Sequence, residues 1–178
     1  MSNSNQWVID ASHSNAGFTV KHLMITNVRG EFQKLEGTVS YDPAKPEATT
    51  IEASIDVASI NTRDEKRDGH LKSADFLDAE KFPKITFKSK AVKAKGDELS
   101  VTGDLTIHGV TKEVVLEVEG PSAPTADPWG NSRVGATATT KIKRDDFGMV
   151  WNAALEAGGV LVGNEVKITI DVSLIKQK

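Results

Sequence analysis

Apolar and polar residues alternate along most of this sequence with a period of two. The clearest run places Val166, Ile168, Ile170, Val172 and Leu174 between Lys167, Thr169, Asp171 and Ser173. Similar runs lie at 18–24, 51–57, 99–107, 114–118 and 134–142. A period of two gives each segment one dry face and one wet face, which is typical of strands in antiparallel sheets.

The alternation changes phase once in the first quarter of the sequence. Phe32 ends an even-numbered apolar run, and Leu35 begins an odd-numbered one. A slip of one residue would turn every following side chain to the opposite face of the sheet. We therefore predict a β-bulge or bend near Gln33 and Lys34, as is common where a sheet curls on itself.

Turn residues separate the runs, and a single segment departs from the strand pattern. Thr62 and Glu65 have the spacing of a capping box, with Thr62 as the N-cap, which predicts a short helix from about residue 63 to 73. Eight or nine strands with one short helix predict an all-β fold in a single domain over residues 1–178. The pattern fits either a sandwich or a closed antiparallel barrel.

Several residues expected to face inward are small. Ala53, Gly103, Ala136 and Ala138 occupy positions where a packed core would require larger side chains. An eight-stranded barrel encloses room for its own side chains or for one small ligand. The lumen is therefore either hollow or filled by the helix, by Trp129 or by Trp151. In a hollow barrel the alternation would place these residues on the lining: Phe18, Val20, Ile55, Leu105, Ala136, Ala138 and Ile170.

Four polar residues are candidates for contact with the head of a ligand. His22 shares a face with Phe18 and Val20 and could reach into the lumen, although a buried histidine with purely internal hydrogen bonds fits equally well. Arg63, Arg67 and His70 flank or lie on the predicted helix, at the mouth of a barrel. The alternative for these three residues is a solvated helix surface.

Composition narrows the classes of function. The chain has 178 residues, no cysteine and a net charge of −3, so it has no thiolate chemistry and no electrostatic reason to bind nucleic acid. None of its histidines lies at metal-ligand spacing to another, and no stretch of 18 apolar residues predicts a transmembrane segment. The N-terminus lacks the pattern of a signal peptide, so we expect the protein in the cytoplasm as written, or in the periplasm if this is a processed form.

Motifs for common enzymes and nucleotide sites are not found in the sequence. The glycine-rich stretch 158–163 leads into a predicted strand rather than a helix, which favours a strand connection over a phosphate site. We accordingly predict no catalytic residue, no bound metal and no cofactor.

Short segments in a fixed order resemble the YceI-like family of lipocalin-like, polyisoprenoid-binding proteins. These segments are Trp7–Asp10, Ser12–Ser14, Phe18–His22, Arg29–Phe32, Arg67–Phe76, Phe82–Phe87, Gly103–Lys112, Arg144–Gly148 and Val162–Val166. The resemblance implies an extended antiparallel, lipocalin-like barrel of about eight strands. It also implies a pocket for an isoprenoid or another long amphiphilic lipid, and a homodimer. It supplies no catalytic residue.

Three functions are compatible with these expectations. The leading hypothesis is non-catalytic binding, transport or storage of the lipid in the barrel lumen. The second is an enzyme of the isomerase or cyclase type that acts on a lipid in the same calyx. The third is a haem or pigment barrel with His22 as axial ligand.

Overall fold

The computed structural model describes residues 5–153 and 161–178. Over these residues the chain forms one α-helix, α1 (Glu65–Lys72), and one sheet. The strands are β1 (Gln6–Ile9), β2 (Asn15–His22), β3 (Thr26–Phe32), β4 (Leu35–Ser40), β5 (Thr50–Asp56), β6 (Ile60–Asn61), β7 (Lys84–Lys95), β8 (Glu98–Ile107), β9 (Val110–Glu119), β10 (Thr125–Ala126), β11 (Ser132–Lys143) and β12 (Val162–Lys176).

Eight of these strands close into a ring. The order β1, β4, β5, β7, β8, β9, β11 and β12 returns to β1, and each neighbouring pair is antiparallel. One edge of β12 pairs with β11 from Glu165 to Ile175, and the other edge pairs with β1 and with β2. The predicted all-β barrel of about eight strands with one helix is confirmed, and the sandwich alternative is wrong.

The predicted bend near Gln33 and Lys34 is confirmed, because β3 ends and β4 begins on either side of these two residues. The Gln33 N–H donates to the carbonyl of Ser59 at 3.4 Å, and the Lys34 N–H donates to Ser59 Oγ at 3.1 Å. The break therefore retains its backbone hydrogen bonds while both Phe32 and Leu35 stay buried.

Two further breaks separate β1 from β2 and β5 from β6. Asp10 Oδ1 accepts from the Ser12 N–H at 3.1 Å, and Asp56 Oδ1 accepts from the Ala58 N–H at 3.3 Å. Each aspartate thus opens a short 3-10 turn that reverses which face of the strand points inward. The sequence pattern did not reveal these two breaks.

Helix α1 confirms the predicted helix, but the predicted cap is wrong. Asp64 is the N-cap, and its Oδ1 accepts from the N–H groups of Lys66 and Arg67 at 3.0 and 3.1 Å. The buried hydroxyl of Thr62 instead contacts Asp68 and accepts a hydrogen bond from Arg67 Nε at 2.8 Å. Thr62 therefore joins β6 to α1 rather than capping the helix.

The two ends of the barrel differ. At one end, called the helix end, Leu71 of α1 and Phe76 after it face the lumen, and the ring of Phe82 packs 5.0 Å from that of His108 in the β8–β9 turn. At the opposite end, called the Tyr41 end, buried Trp7 donates from Nε1 to the Tyr41 carbonyl at 3.1 Å. Trp129 is 77% exposed and does not fill the lumen.

No helix in residues 5–153 and 161–178 is both long and apolar enough to cross a membrane. The glycine-rich stretch 158–163 lies partly outside the described residues. Its last two residues, Val162 and Gly163, begin β12, as expected of a strand connection.

Candidate functional site

An elongated cavity of about 260 Å³ runs through the barrel. Side chains from all eight strands of the ring contribute to its lining, from Tyr41 and Thr49 at one end to Phe76 and Met149 at the other. Its volume is just below the lower end of the range for small-molecule pockets, roughly 300–1,000 Å³. The lumen is therefore hollow, and the alternative of a filled lumen is wrong.

The alternation of the sequence places the expected residues on the cavity wall. All seven predicted lining residues are there: Phe18, Val20, Ile55, Leu105, Ala136, Ala138 and Ile170. Ala136 and Ala138 pair across the sheet with Val172 and Ile170. Where β11 and β12 meet, the cavity wall therefore consists of small and aliphatic side chains. Contact of these residues with a ligand stays a prediction.

One of the four small inward positions does not contribute space. A Cβ atom at Gly103 would lie 2.5 Å from Cζ of Phe87, so the ring of Phe87 occupies the volume that the glycine leaves. Phe87 itself lines the cavity, as do Ala53, Ala136 and Ala138. The three alanines therefore leave space on the cavity wall, whereas Gly103 allows an aromatic ring to pack against β8.

His22 lies at the last position of β2, where it pairs with Thr26 of β3 and Val162 of β12. The cavity lining on this strand extends to Val20 and does not include His22. The expected position of His22 on the lumen wall is therefore wrong, because the register of β12 against β2 shifts between Val162 and Val166, and Val162 rather than His22 lines the cavity at this level. A role for His22 toward a ligand stays a prediction.

The three candidates near α1 lie at the helix end but outside the cavity lining. Arg63 is exposed and has a φ of 67°. Arg67 donates from Nε to Thr62 Oγ1 at 2.8 Å and from Nη2 to the Thr62 carbonyl at 2.6 Å, so it holds α1 against β6. His70 Nε2 lies 2.9 Å from Asp75 Oδ2.

An aromatic cluster closes the cavity at the helix end. The ring of His70 packs edge-on against Phe76 and Trp151, with centroids 5.0 and 4.7 Å apart. The Phe76 and Trp151 rings are 5.3 Å apart, and Phe76 is 6% exposed and faces the cavity. His70 thus belongs to the wall behind the cavity rather than to its surface.

Arg144 is the functional candidate that the sequence analysis missed. The residue is 6% exposed, lines the cavity, and places its guanidinium carbon 5.8 Å from the centre of the Phe76 ring. Among the described lining residues it is the only one with a charged side chain. Burial lowers the pKa of Arg144, and the charge of Asp145 partly opposes this shift.

A network of backbone acceptors surrounds the Arg144 guanidinium. Nε donates to the Gly163 carbonyl at 2.9 Å, Nη1 donates to the carbonyls of Met149 and Trp151 at 2.8 Å each, and Nη2 donates to the Val162 carbonyl at 3.3 Å. Arg144 therefore connects the start of β12 to the segment that follows β11. The sequence pattern could have indicated that Arg144 faces inward, because residue 144 continues the even-numbered inward positions of β11 beyond Ile142.

A second charged cluster lies outside the cavity. Arg133 donates from Nη1 to Asp10 Oδ2 and from Nε to Asp127 Oδ2, both at 2.7 Å. The Arg133 guanidinium holds the pKa of both carboxyl groups well below their usual range. This network fastens β11 to the break after β1.

Ser12, His13 and Asp10 have the residue types of a hydrolase triad, but their geometry is different. Ser12 Oγ and Asp10 Oδ2 both contact the same ring nitrogen, His13 Nδ1, at 3.1 and 2.7 Å. A triad histidine must use one nitrogen for the serine and the other for the carboxylate. These three residues therefore stabilise the turn rather than forming a proton relay.

Comparison with known proteins identifies a family match over nearly the whole chain. Residues 7–174 match the model of the YceI-like domain. A UPF0312 protein of Vibrio cholerae is 41% identical over 150 residues, which cover 83% of this chain and 79% of that protein. Protein YceI of Escherichia coli O157:H7 is 39% identical over 169 residues, which cover 95% of this chain and 85% of that protein.

Solved structures share the same fold. BcnA of Burkholderia cenocepacia superposes with a TM-score of 0.79 at 27% identity, over 93% of this chain and 98% of that chain. The YCEI protein of Campylobacter jejuni superposes with a TM-score of 0.73 at 32% identity, over 89% of this chain and 90% of that chain. A domain from Saccharophagus degradans, described as polyisoprenoid-binding, reaches 0.70 at 18% identity over 96% and 98%, which shows the fold alone.

Proposed function

Because the chain belongs to the YceI-like family, we propose that it binds an isoprenoid or another long-chain amphiphilic lipid in its barrel cavity, and that it transports or stores this lipid without catalysing a reaction. The observation that supports this function is the elongated apolar cavity that runs from the Tyr41 end to the helix end. Burial stabilises a hydrocarbon by roughly 0.8 kcal/mol per CH₂ group, so a five-carbon unit contributes on the order of 3 kcal/mol.

The shape of the cavity favours a chain-like ligand over a compact one. Inward-facing side chains of β11 line it from Ala136 to Ile142, and strands rise about 3.3 Å per residue. The fold that this chain shares with the Saccharophagus degradans domain supports the same class of ligand, since that domain is described as polyisoprenoid-binding.

The chemistry of the wall supports a binding role rather than an enzymatic one. An isomerase or cyclase needs an acid or base within hydrogen-bond reach of the reacting atoms. The charged side chain on the described lining is that of Arg144, which remains protonated at any physiological pH and donates most of its N–H groups to backbone carbonyls. Tyr41 and three threonines supply the other polar side chains of the described lining.

A homodimer is part of the same proposal and rests on the family resemblance. Sedimentation velocity of the purified protein between micromolar and submillimolar concentration tests it. A single species with the mass of one 19.2 kDa chain over this range would contradict the dimer without affecting the proposed ligand.

The proposed ligand is tested by native mass spectrometry of freshly purified protein, followed by thermal unfolding of delipidated protein with added hexadecanol or farnesol. A ligand at 100 times its Kd stabilises the folded state by about 2.7 kcal/mol. In a domain of this size that corresponds to an increase in Tm of about 5–10 °C. A short alcohol such as butanol at the same concentration is the control and should leave Tm unchanged.

Two results would contradict the proposal. The first is a protein that carries no lipid and whose Tm does not respond to any long-chain amphiphile. The second is chemical conversion of the added lipid during incubation, which would favour an isomerase or cyclase in the same cavity.

A further inference from the structure

We propose that Arg144 selects lipids with an anionic oxygen head, a phosphate or a carboxylate, and holds that head at the helix end of the cavity. This inference rests on the proposed function, because it assigns the polar part of the ligand whose tail lies in the same cavity. It replaces the four head-group candidates of the sequence analysis with a residue that lines the cavity itself.

The first argument is the position of the charge. Phe76 and Met149 line the helix end of the cavity beside Arg144, and the guanidinium lies over the Phe76 ring. Every other described residue on the lining is uncharged. Of the side chains that the structure describes on this lining, a lipid therefore meets a single full charge, located at one end of an apolar tunnel.

The second argument is the number of hydrogen-bond donors. A guanidinium has five N–H groups, and four of them donate to the carbonyls of Met149, Trp151, Val162 and Gly163. One N–H of Nη2 remains without an acceptor among the described residues. Within residues 5–153 and 161–178, the guanidinium is thus held by four of its donors and retains one for a ligand.

The third argument is the charge balance. Carbonyl groups accept hydrogen bonds but carry no net charge, and no carboxylate oxygen of a described residue lies within 4.0 Å of the Arg144 nitrogens. The neighbouring Asp145 is exposed. Because a buried charge is stable when it is paired, an anionic head would neutralise Arg144 where water is largely excluded.

The test compares ligands that share a sixteen-carbon tail and differ in the head: hexadecyl phosphate, hexadecanoate and hexadecanol. Each ligand displaces a fluorescent apolar dye from delipidated wild-type protein, from Arg144→Gln, from Arg144→Lys and from Arg29→Gln. Arg29 is exposed on β3 and does not line the cavity, so its variant is the control for loss of one positive charge.

Wild-type protein should bind at least one of the two anions about 10- to 100-fold more tightly than the alcohol, as expected for a hydrogen bond to a charged group. Arg144→Gln should reduce this ratio to about one. Arg144→Lys should keep part of the preference, and Arg29→Gln all of it. The relative affinities of phosphate and carboxylate identify which of the two heads the site prefers.

Some outcomes overturn the role of Arg144 and leave the proposed lipid binding intact, and another contradicts the lipid binding itself. Equal affinity of wild-type protein for all three heads means that Arg144 is purely structural, although the cavity still binds lipid. Failure of all three ligands to bind contradicts the proposed function itself. If Arg144→Gln does not fold, the wild-type affinities still decide, together with the Nη–Hη resonances of the Arg144 guanidinium. Those resonances should shift with the anions and not with hexadecanol, and unchanged Nη–Hη resonances with bound anion would refute the contact.

Discussion

Gly37 and Gly69 show how the surroundings of a single residue decide whether it tolerates a side chain. A Cβ atom at Gly37 would collide with the backbone carbonyl of Glu52 and would lie 2.9 Å from the Cα of Ala53. Gly69 lies in α1, where a Cβ atom would meet nothing within 4 Å. β4 and β5 can therefore pair closely because residue 37 is a glycine, whereas the glycine at position 69 weakens its helix.

We expect opposite effects of alanine at these two positions. Gly37→Ala should lower the free energy of unfolding by about 1–3 kcal/mol, because it overpacks a paired strand. Gly69→Ala should raise it by about 0.4–1 kcal/mol, because alanine restricts the unfolded chain and favours the helix. Urea unfolding at pH 7 measures both, and a stabilising Gly37→Ala would contradict the close approach of β4 and β5.

The network of Arg133 with Asp10 and Asp127 should make stability depend on acid pH. Both carboxyl groups have a folded-state pKa well below that of the unfolded chain, about 3.9. Below that value the unfolded state binds more protons, so the stabilisation is fully present above about pH 5 and is lost as the pH falls toward the folded-state pKa.

Arg133→Met should therefore destabilise the protein at pH 7, and its deficit relative to wild type should shrink as the pH falls from about 4 to 2. Urea unfolding at a series of pH values measures this difference, with exposed Arg29→Met as the matched variant. A deficit of Arg133→Met that is constant across this pH range would show that Arg133 contributes through packing alone.

β11 carries the most direct test of tail length at the scale of an element. Its even-numbered residues face the cavity, and Ala138 lies closer along the strand to Arg144 than Ala136 does. Ala136→Phe and Ala138→Phe should both shift the preference toward shorter tails. The shift should be larger for Ala138→Phe if the head lies at Arg144, since the tail is then blocked nearer to the head.

Displacement by a series of fatty acids with ten to twenty carbons measures this order. Thr139→Phe is the matched control on the same strand, because Thr139 does not line the cavity. An unchanged length preference in folded Ala138→Phe would contradict a tail that passes this point. A larger effect of Ala136→Phe would place the head at the Tyr41 end.

The elements also show how far alternation predicts a barrel. The bend at residues 33 and 34 is visible because apolar residues of opposite parity lie on both sides of it. The break after β1 is hidden because a four-residue strand offers too few positions to define a phase. The break after β5 is hidden because Val57 continues the odd-numbered apolar series although it already belongs to a 3-10 turn.

At the scale of the whole molecule, the cavity was predictable and its charged end was not. Ala53, Ala136 and Ala138 indicate missing bulk, and that property is local to each strand. Arg144 precedes two aspartates in the sequence and therefore resembles a surface turn. Its burial depends on carbonyl groups of the segment after β11 and of β12, which only the closed barrel brings around it.

The pairing of β12 also has a consequence for how the protein is made. This strand joins β11 on one side and β1 and β2 on the other, so the sheet contains contacts between residues about 150 positions apart, such as Asn15 and Asp171. During synthesis the first strands leave the ribosome long before their partner exists. Their apolar faces and the free edges of β1 and β2 stay exposed until residues 162–176 emerge, and folding can be completed only afterwards. We therefore expect the incomplete chain to be most prone to edge-to-edge association before the final strand arrives.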